Sequence, residues 1–221
     1  MHDGYGFDVI VIRHPLKGAA RLAAEAASIP VINAGDGPNQ HPTQTLLDLY
    51  SIKQTQGTLD GITVAMVGDL ANGRTVHSLT EALLKYDNCT LIFISPRDLA
   101  MPGFLIDKCR TEAAEGRCSF TEARRIEDFI GLVDILYMTR IQKERLTERT
   151  ALAEKFRSIY RLEPEMLKDV RPTMKVMHPL PRVTEIAQDV DQTPHAFYFQ
   201  QARNGLFVRE ALLALILGAV Q

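Results

Sequence analysis

A chain of 221 residues, 46% hydrophobic and 24% charged, has enough apolar material to bury a substantial core in one large or two small domains. Its net charge of -2, with both signs interspersed, excludes a basic footprint for nucleic acid and an acidic tail. Cys89, Cys109 and Cys118 are odd in number and lack the close paired spacing of a zinc site, so reduced thiols in a cytoplasmic protein and no structural metal are expected. No apolar run has the length of a membrane span and the first residues carry no signal-like segment, so no membrane partner is expected.

Short apolar runs alternate with helical patterns along the chain, which predicts an α/β protein with a mostly parallel sheet. In order, a strand is predicted over residues 8–12, a helix over 18–27, a strand over 31–33 and a helix over 42–54. A strand over 63–67, a helix over 75–85, a strand over 90–94 and a helix over 103–114 follow, then strands over 134–137 and 174–177 and a last helix over 202–217. The segment 55–61, which closes one helix and precedes a new strand, reads as the boundary between two α/β lobes. Val9-Ile10-Val11-Ile12 is nearly all apolar, as in a strand covered on both faces. Either sheet neighbours of that strand are missing from this chain, or it is the first strand of a small sheet.

Five polar clusters fall just beyond strands or at helix starts, where open α/β sheets place ligands. Arg13-His14-Pro15 follows the first strand, and its guanidinium suits an anion or a carbonyl oxygen; a surface ion pair is the plainer alternative. In His41-Pro42-Thr43-Gln44, Pro42 fits the first helical position, which puts His41 at the cap and Gln44 one turn on, on the same face. His41 then serves either as a structural cap or as a donor to a ligand carbonyl. The run Gly68-Asp69-Leu70-Ala71-Asn72-Gly73-Arg74 lacks both the G-x-G-x-x-G and the Walker spacing, which argues against a nucleotide, while Arg74 at a helix N-terminus suits a carboxylate. Arg140 and Gln142 alternate after another buried strand, offering a second carboxylate contact if the backbone stays extended. His178-Pro179-Leu180-Pro181-Arg182 is either proline-punctuated turn or a rigid set of acceptor carbonyls.

Taken together, Arg13-His14-Pro15, His41-Pro42-Thr43-Gln44, Gly73-Arg74-Thr75-Val76-His77-Ser78, Thr139-Arg140-Ile141-Gln142 and His178-Pro179-Leu180-Pro181-Arg182, in this order and spacing, closely resemble the catalytic chain of aspartate carbamoyltransferases. The resemblance runs from Asp8 to the last helix and includes Tyr198-Phe199-Gln200-Gln201. It implies transfer of a carbamoyl group from carbamoyl phosphate to L-aspartate in pyrimidine synthesis, without organic cofactor or metal. On that resemblance Arg13 and His41 contact the carbamoyl carbonyl oxygen as catalytic residues. Gln44 and the backbone carbonyls of Pro179, Leu180 and Pro181 orient the carbamoyl amide, and Arg74, Arg140 and Gln142 clamp aspartate. The family's trimeric assembly, at times with a regulatory chain, is implied for the full-length form.

The resemblance also divides the chain into residues 1–57 as the C-terminal portion of a carbamoyl-phosphate domain, 58–198 as an aspartate domain, and 199–221 as a helix returning to the first domain. The family's Ser-Thr-Arg-Thr-Arg phosphate loop and its lysine-bearing loop have no counterpart here. The expectation is therefore a truncated catalytic chain with an incomplete first lobe. Leu206, Phe207, Leu212, Leu213, Leu215, Ile216 and Leu217 then form an apolar surface in need of a partner, and the isolated chain is expected to aggregate or to require a complementing N-terminal piece. Two alternatives stand beside the first reading. One is a non-catalytic chain that binds a dicarboxylate or other subunits. The other, ornithine carbamoyltransferase, is disfavoured because Pro179 stands where those enzymes carry cysteine, and because paired arginines suit a dicarboxylate.

Overall fold

The computed structural model of the chain describes residues 6–140 and 160–219. Val64, Ala65, Met66 and Val67 are completely buried, and consecutive buried residues in a strand need cover on both faces. They lie in β3 (Thr63–Val67), with β4 (Cys89–Ile94), β5 (Cys118–Ala123), β6 (Ile135–Met138) and β7 (Lys175–Met177) in the same sheet. The order is β5-β4-β3-β6-β7 and every pairing is parallel. Side chains alternate across it, as the strand period demands. Val64 and Met66 meet Leu79 and Leu83 of α3 (Arg74–Leu83) and Leu105 of α4 (Gly103–Ala114) on one face. Ala65 and Val67 meet Ile130, Leu162 and Tyr198 on the other.

The chain runs outward from β3 through β4 to β5 and then returns to place β6 on the other side of β3. Strand order thus reverses between β3 and β6, and the carboxyl ends flanking such a switch point form a crevice suited to ligands.

A separate two-stranded parallel sheet joins β1 (Ile10–His14) to β2 (Val31–Asp36), connected by α1 (Ala19–Ala26). Among the described residues β1 pairs with β2 alone, its side chains alternate in burial, and Val11 is 60% exposed, so one face of this apolar strand is uncovered. Arg13 also lies within β1 rather than after it.

Two long helices, α2 (Pro42–Gln56) and α5 (Tyr198–Ile216), pack against each other through polar side chains. Gln201 donates to Asp48 at 2.6 Å, and Asn204 donates to Ser51 and Gln54 at 2.9 and 2.8 Å. Buried groups so satisfied fix the register of the two helices more narrowly than an apolar seam would. The sequence pattern starts the last helix four residues late, because Tyr198 and Phe199 precede the aliphatic run that marks it.

Candidate active site

The crevice at the switch point is built by close approach of backbones. Gly68 follows β3 at φ +116°, and a Cβ there would lie 2.5 Å from the carbonyl oxygen of Thr139 at the end of β6. Only glycine lets the two strand ends meet this way. Thr139 locks the junction: its hydroxyl donates to the Val67 carbonyl at 2.8 Å and accepts the Asp69 N–H at 3.1 Å. Asp69 in turn accepts the Asn72 N–H at 3.0 Å, folding the loop so that Arg74 opens α3. The Arg74 guanidinium donates to the Gly37 carbonyl at 2.9 Å and lies against Gly35, where a Cβ would come within 2.9 Å of it.

His41 is delivered by a second polar scaffold. The buried Asp36 carboxylate accepts from Gly18, Asn33, Asn39 and Gln40, fixing the loop after β2. Burial acts to raise its pKa, but those four donors overcome the effect and hold it below the usual carboxylate value. Ser78 of α3 then ties the next two residues: its hydroxyl donates to Gln40 at 2.6 Å and accepts the His41 N–H at 3.1 Å.

His41 occupies the N-cap of α2 as expected, yet its ring makes no capping bond; its backbone carbonyl accepts from Gln44 and Thr45 instead. The ring nitrogen Nδ1 is buried with no hydrogen-bond partner. Burial pushes the imidazole pKa down to about 4, with help from the positive charges of Arg74, Arg13 and Arg209. The ring is therefore neutral near pH 7, with hydrogen-bonding capacity that the protein leaves unused. The structural-cap alternative does not describe it.

Past β7, His178 orders the proline loop. Its Nδ1 accepts the Leu180 N–H at 2.8 Å, so Nε2 is the nitrogen that donates to buried Glu185, also at 2.8 Å. Leu180 has φ +51° and precedes a cis peptide to Pro181. Neighbouring Arg182 points elsewhere, bidentate to Asp191.

These elements enclose a cavity of about 350 Å³. Arg13, His41, Gln44, Arg74, Arg140, Pro179, Leu180 and Pro181, each singled out from the sequence, line it together. Gln142 lies outside the described residues. Thr75, Thr139 and Arg209 also line the cavity and were not anticipated. Arg209 carries no local motif, but Gly205 sits one turn before it, and a Cβ there would lie 2.3 Å from the Arg209 guanidinium. Glycine inside a helix, costing about 1 kcal/mol against alanine, was the available signal that something large lies across the backbone. A wider groove of about 710 Å³ between α2, α3 and α4 includes Lys108 and Glu81, which neutralise each other, so the convergent positive charge belongs to the smaller cavity.

Four guanidiniums around a small polar cavity describe a site for a compact, multiply charged anion. Residues 60–216 match the family model described as aspartate/ornithine carbamoyltransferase, Asp/Orn binding domain, and residues 1–54 match that of the carbamoyl-P binding domain. The chain is 56% identical over 210 residues to the aspartate carbamoyltransferase catalytic subunit of Chromobacterium violaceum, and 54% identical over 211 residues to that of Vibrio vulnificus. It covers 95% of itself in both alignments, and 67% and 66% of those proteins, so it spans about two thirds of their length. Among solved structures it resembles the M. jannaschii aspartate transcarbamoylase catalytic subunit, with a TM-score of 0.90, 45% identity, and coverage of 99% of this chain and 69% of that one. The Trypanosoma cruzi enzyme in complex with N-(phosphonacetyl)-L-aspartic acid superposes with a TM-score of 0.89 at 36% identity, covering 96% and 66%. Fold, ordered motifs and these likenesses agree that the chain belongs to the aspartate/ornithine carbamoyltransferase family.

Proposed function

We propose that the cavity binds the carbamoyl group of carbamoyl phosphate beside L-aspartate, and that the chain transfers the one to the other. The observation that carries this reading is the convergence of Arg13, Arg74 and Arg140 with a neutral His41 whose Nδ1 has no partner. The α-amino group of aspartate attacks the carbamoyl carbon, and Arg13 and His41 stabilise the charge that develops on its oxygen. Collapse breaks the carbon–oxygen bond to phosphate, and the amine proton leaves with the departing group or with solvent. Gln44 and the carbonyls of Pro179, Leu180 and Pro181 hold the carbamoyl amide, while Arg74, Arg140 and Gln142 grip the two carboxylates. Fixing both reactants in one geometry supplies much of the acceleration. The product is N-carbamoyl-L-aspartate, the role is pyrimidine synthesis, and no cofactor takes part. A cytoplasmic location fits the three free cysteines, and the working form is a homotrimer, as a regulatory chain's partner or alone.

The same cavity favours aspartate over ornithine by charge, since a cationic side chain would meet Arg74 and Arg140. The test is product formation by the 221-residue chain complemented with a separate N-terminal carbamoyl-phosphate-domain segment, and by the chain alone, with aspartate and, separately, with ornithine, alongside an Arg140→Ala variant. Carbamoyl-aspartate should form, and the variant should lose about 100-fold in kcat/KM for aspartate while carbamoyl phosphate binding is retained. Preference for ornithine, or an unchanged aspartate response in the variant, would overturn the reading. Aspartate binding by calorimetry without any turnover would establish the non-catalytic alternative.

A further inference from the structure

Asp48 is a completely buried carboxylate that the proposed chemistry does not use. Three donors from three elements converge on it. Gln44 Nε2 of α2 reaches Oδ1 at 2.9 Å, Gln201 Nε2 of α5 reaches the same oxygen at 2.6 Å, and the Tyr137 hydroxyl of β6 reaches Oδ2 at 2.8 Å. Each contact has a consequence in the cavity wall. Because one N–H of the Gln44 amide is held by Asp48, the NH2 end is anchored on the carboxylate side and Oε1 is the end free to turn to the cavity that Gln44 lines. Gln201 spends its other end on the backbone, its Oε1 accepting the His178 N–H at 2.8 Å where the 178–181 loop begins. The Tyr137 hydroxyl also interacts with Thr75, another lining residue.

We propose that Asp48 is a positioning residue that sets Gln44 as a hydrogen-bond acceptor toward the ligand's amide and, through Gln201, anchors the 178–181 loop to the same point. Every protein group facing the amide is then an acceptor: one side-chain oxygen and the backbone carbonyls of the loop. A ligand NH2 satisfies them, and an isosteric CH3 leaves them bare, which is the larger penalty in a partly buried site. A flipped Gln44 would offer NH2 to NH2 and remove that selectivity. The charged and titratable groups acting on Asp48 are Tyr137 of β6 and Arg209 of α5. Burial pushes the carboxyl up to about 7, and its three donors work against that rise.

This inference rests on the carbamoyl reading, and its test separates the two. Binding of carbamoyl phosphate is compared with that of acetyl phosphate, which differs by CH3 for NH2, in wild type, Asp48→Ala, Asp48→Asn and Gln201→Leu. Asp48→Ala should lose at least about tenfold of the preference for carbamoyl phosphate, with acetyl phosphate binding nearly unchanged. Asp48→Asn should retain part of the preference, since its amide oxygen still accepts from Gln44 and Gln201. Gln201→Leu, which leaves Asp48 in place, covers the case in which Asp48→Ala does not fold, and should lower the preference too. Equal weakening of both ligands, or a lower melting temperature with the preference intact, would overturn the proposal. If wild type binds neither ligand, the functional reading fails, and the network is still read by NMR: the Gln44 side-chain NH2 should be protected from hydrogen exchange in wild type and unprotected in Asp48→Ala. Equal exchange in both would remove Asp48 from its role.

Discussion

At the scale of single residues, His41 and Asp48 are displaced from their ordinary pKa values in opposite directions by the same cause. Burial penalises whichever form is charged, so the imidazole falls to about 4 and the carboxyl rises to about 7. Their effects on stability therefore oppose each other over a shared pH window. Unfolded His41 takes up a proton near 6.5 that the folded chain refuses until about 4, so this group costs stability as pH falls through that range. Folded Asp48 keeps a proton up to about 7 that the unfolded chain releases near 3.8, so it costs stability as pH rises from 4 to 7. At roughly 1.4 kcal/mol per unit the Asp48 contribution is about 4 kcal/mol at full ionisation. Urea unfolding of wild type and Asp48→Asn at pH 5 and pH 8 isolates it: relative to wild type, the variant should be more stable at pH 8 than at pH 5 by a few kcal/mol. An identical difference at both pH values would show that Asp48 does not titrate in this window. Neither residue advertised its environment in the sequence. His41 was recognisable as a helix cap beside a proline, whereas Asp48 is one acidic position in an ordinary helical run, and its burial depends on Tyr137 and Gln201, far away in the chain.

At the scale of elements, the junction of β3 with β6 controls where Arg74 and Arg140 stand. Gly68→Ala would place a methyl within 2.6 Å of both Thr139 oxygens, backbone and hydroxyl, at a φ that alanine resists. Backbone strain of this kind costs about 1–3 kcal/mol, and the strand ends must also separate. The variant should melt several degrees lower and bind aspartate more weakly, because Arg140 directly follows Thr139 and the Gly68 loop leads to Arg74. Unchanged melting and binding would mean that the junction yields without cost. The strands that meet here were legible because they are almost wholly apolar, and β3 runs over the residues predicted for it, Thr63 to Val67. β5 was missed. Its Cys118-Ser119-Phe120-Thr121-Glu122-Ala123 mixes polar and apolar residues because it is an edge strand with one face toward water, which leaves too little contrast to separate it from a loop. Arg209 was missed for the complementary reason: its helix is read from the aliphatic residues around it, and its place in the cavity comes from α5 lying along α2.

At the scale of the whole molecule, the alternation of strand and helix sufficed for an α/β fold with parallel strands, since each parallel pair needs a crossover. What local pattern could not supply was which apolar faces are covered. Val11 and Leu22 stand in elements whose pattern reads as packed, whereas Leu206, Phe207 and Leu215 belong to the apolar surface expected on the last helix, and each of the five is between 47% and 67% exposed. A net charge of -2 gives weak repulsion between copies to offset them. The 221-residue chain should therefore associate reversibly as its concentration rises, more so at high salt, and should bind a hydrophobic dye while folded. Replacing Leu206 and Leu215 on α5 with lysine should remove roughly half of the dye signal and shift sedimentation toward the monomer without lowering the melting temperature, because side chains already in water contribute little to the fold. A monomeric wild-type chain with a cooperative melt and no dye binding would contradict this. Loss of folding in the double variant would instead mean that these leucines are covered in solution.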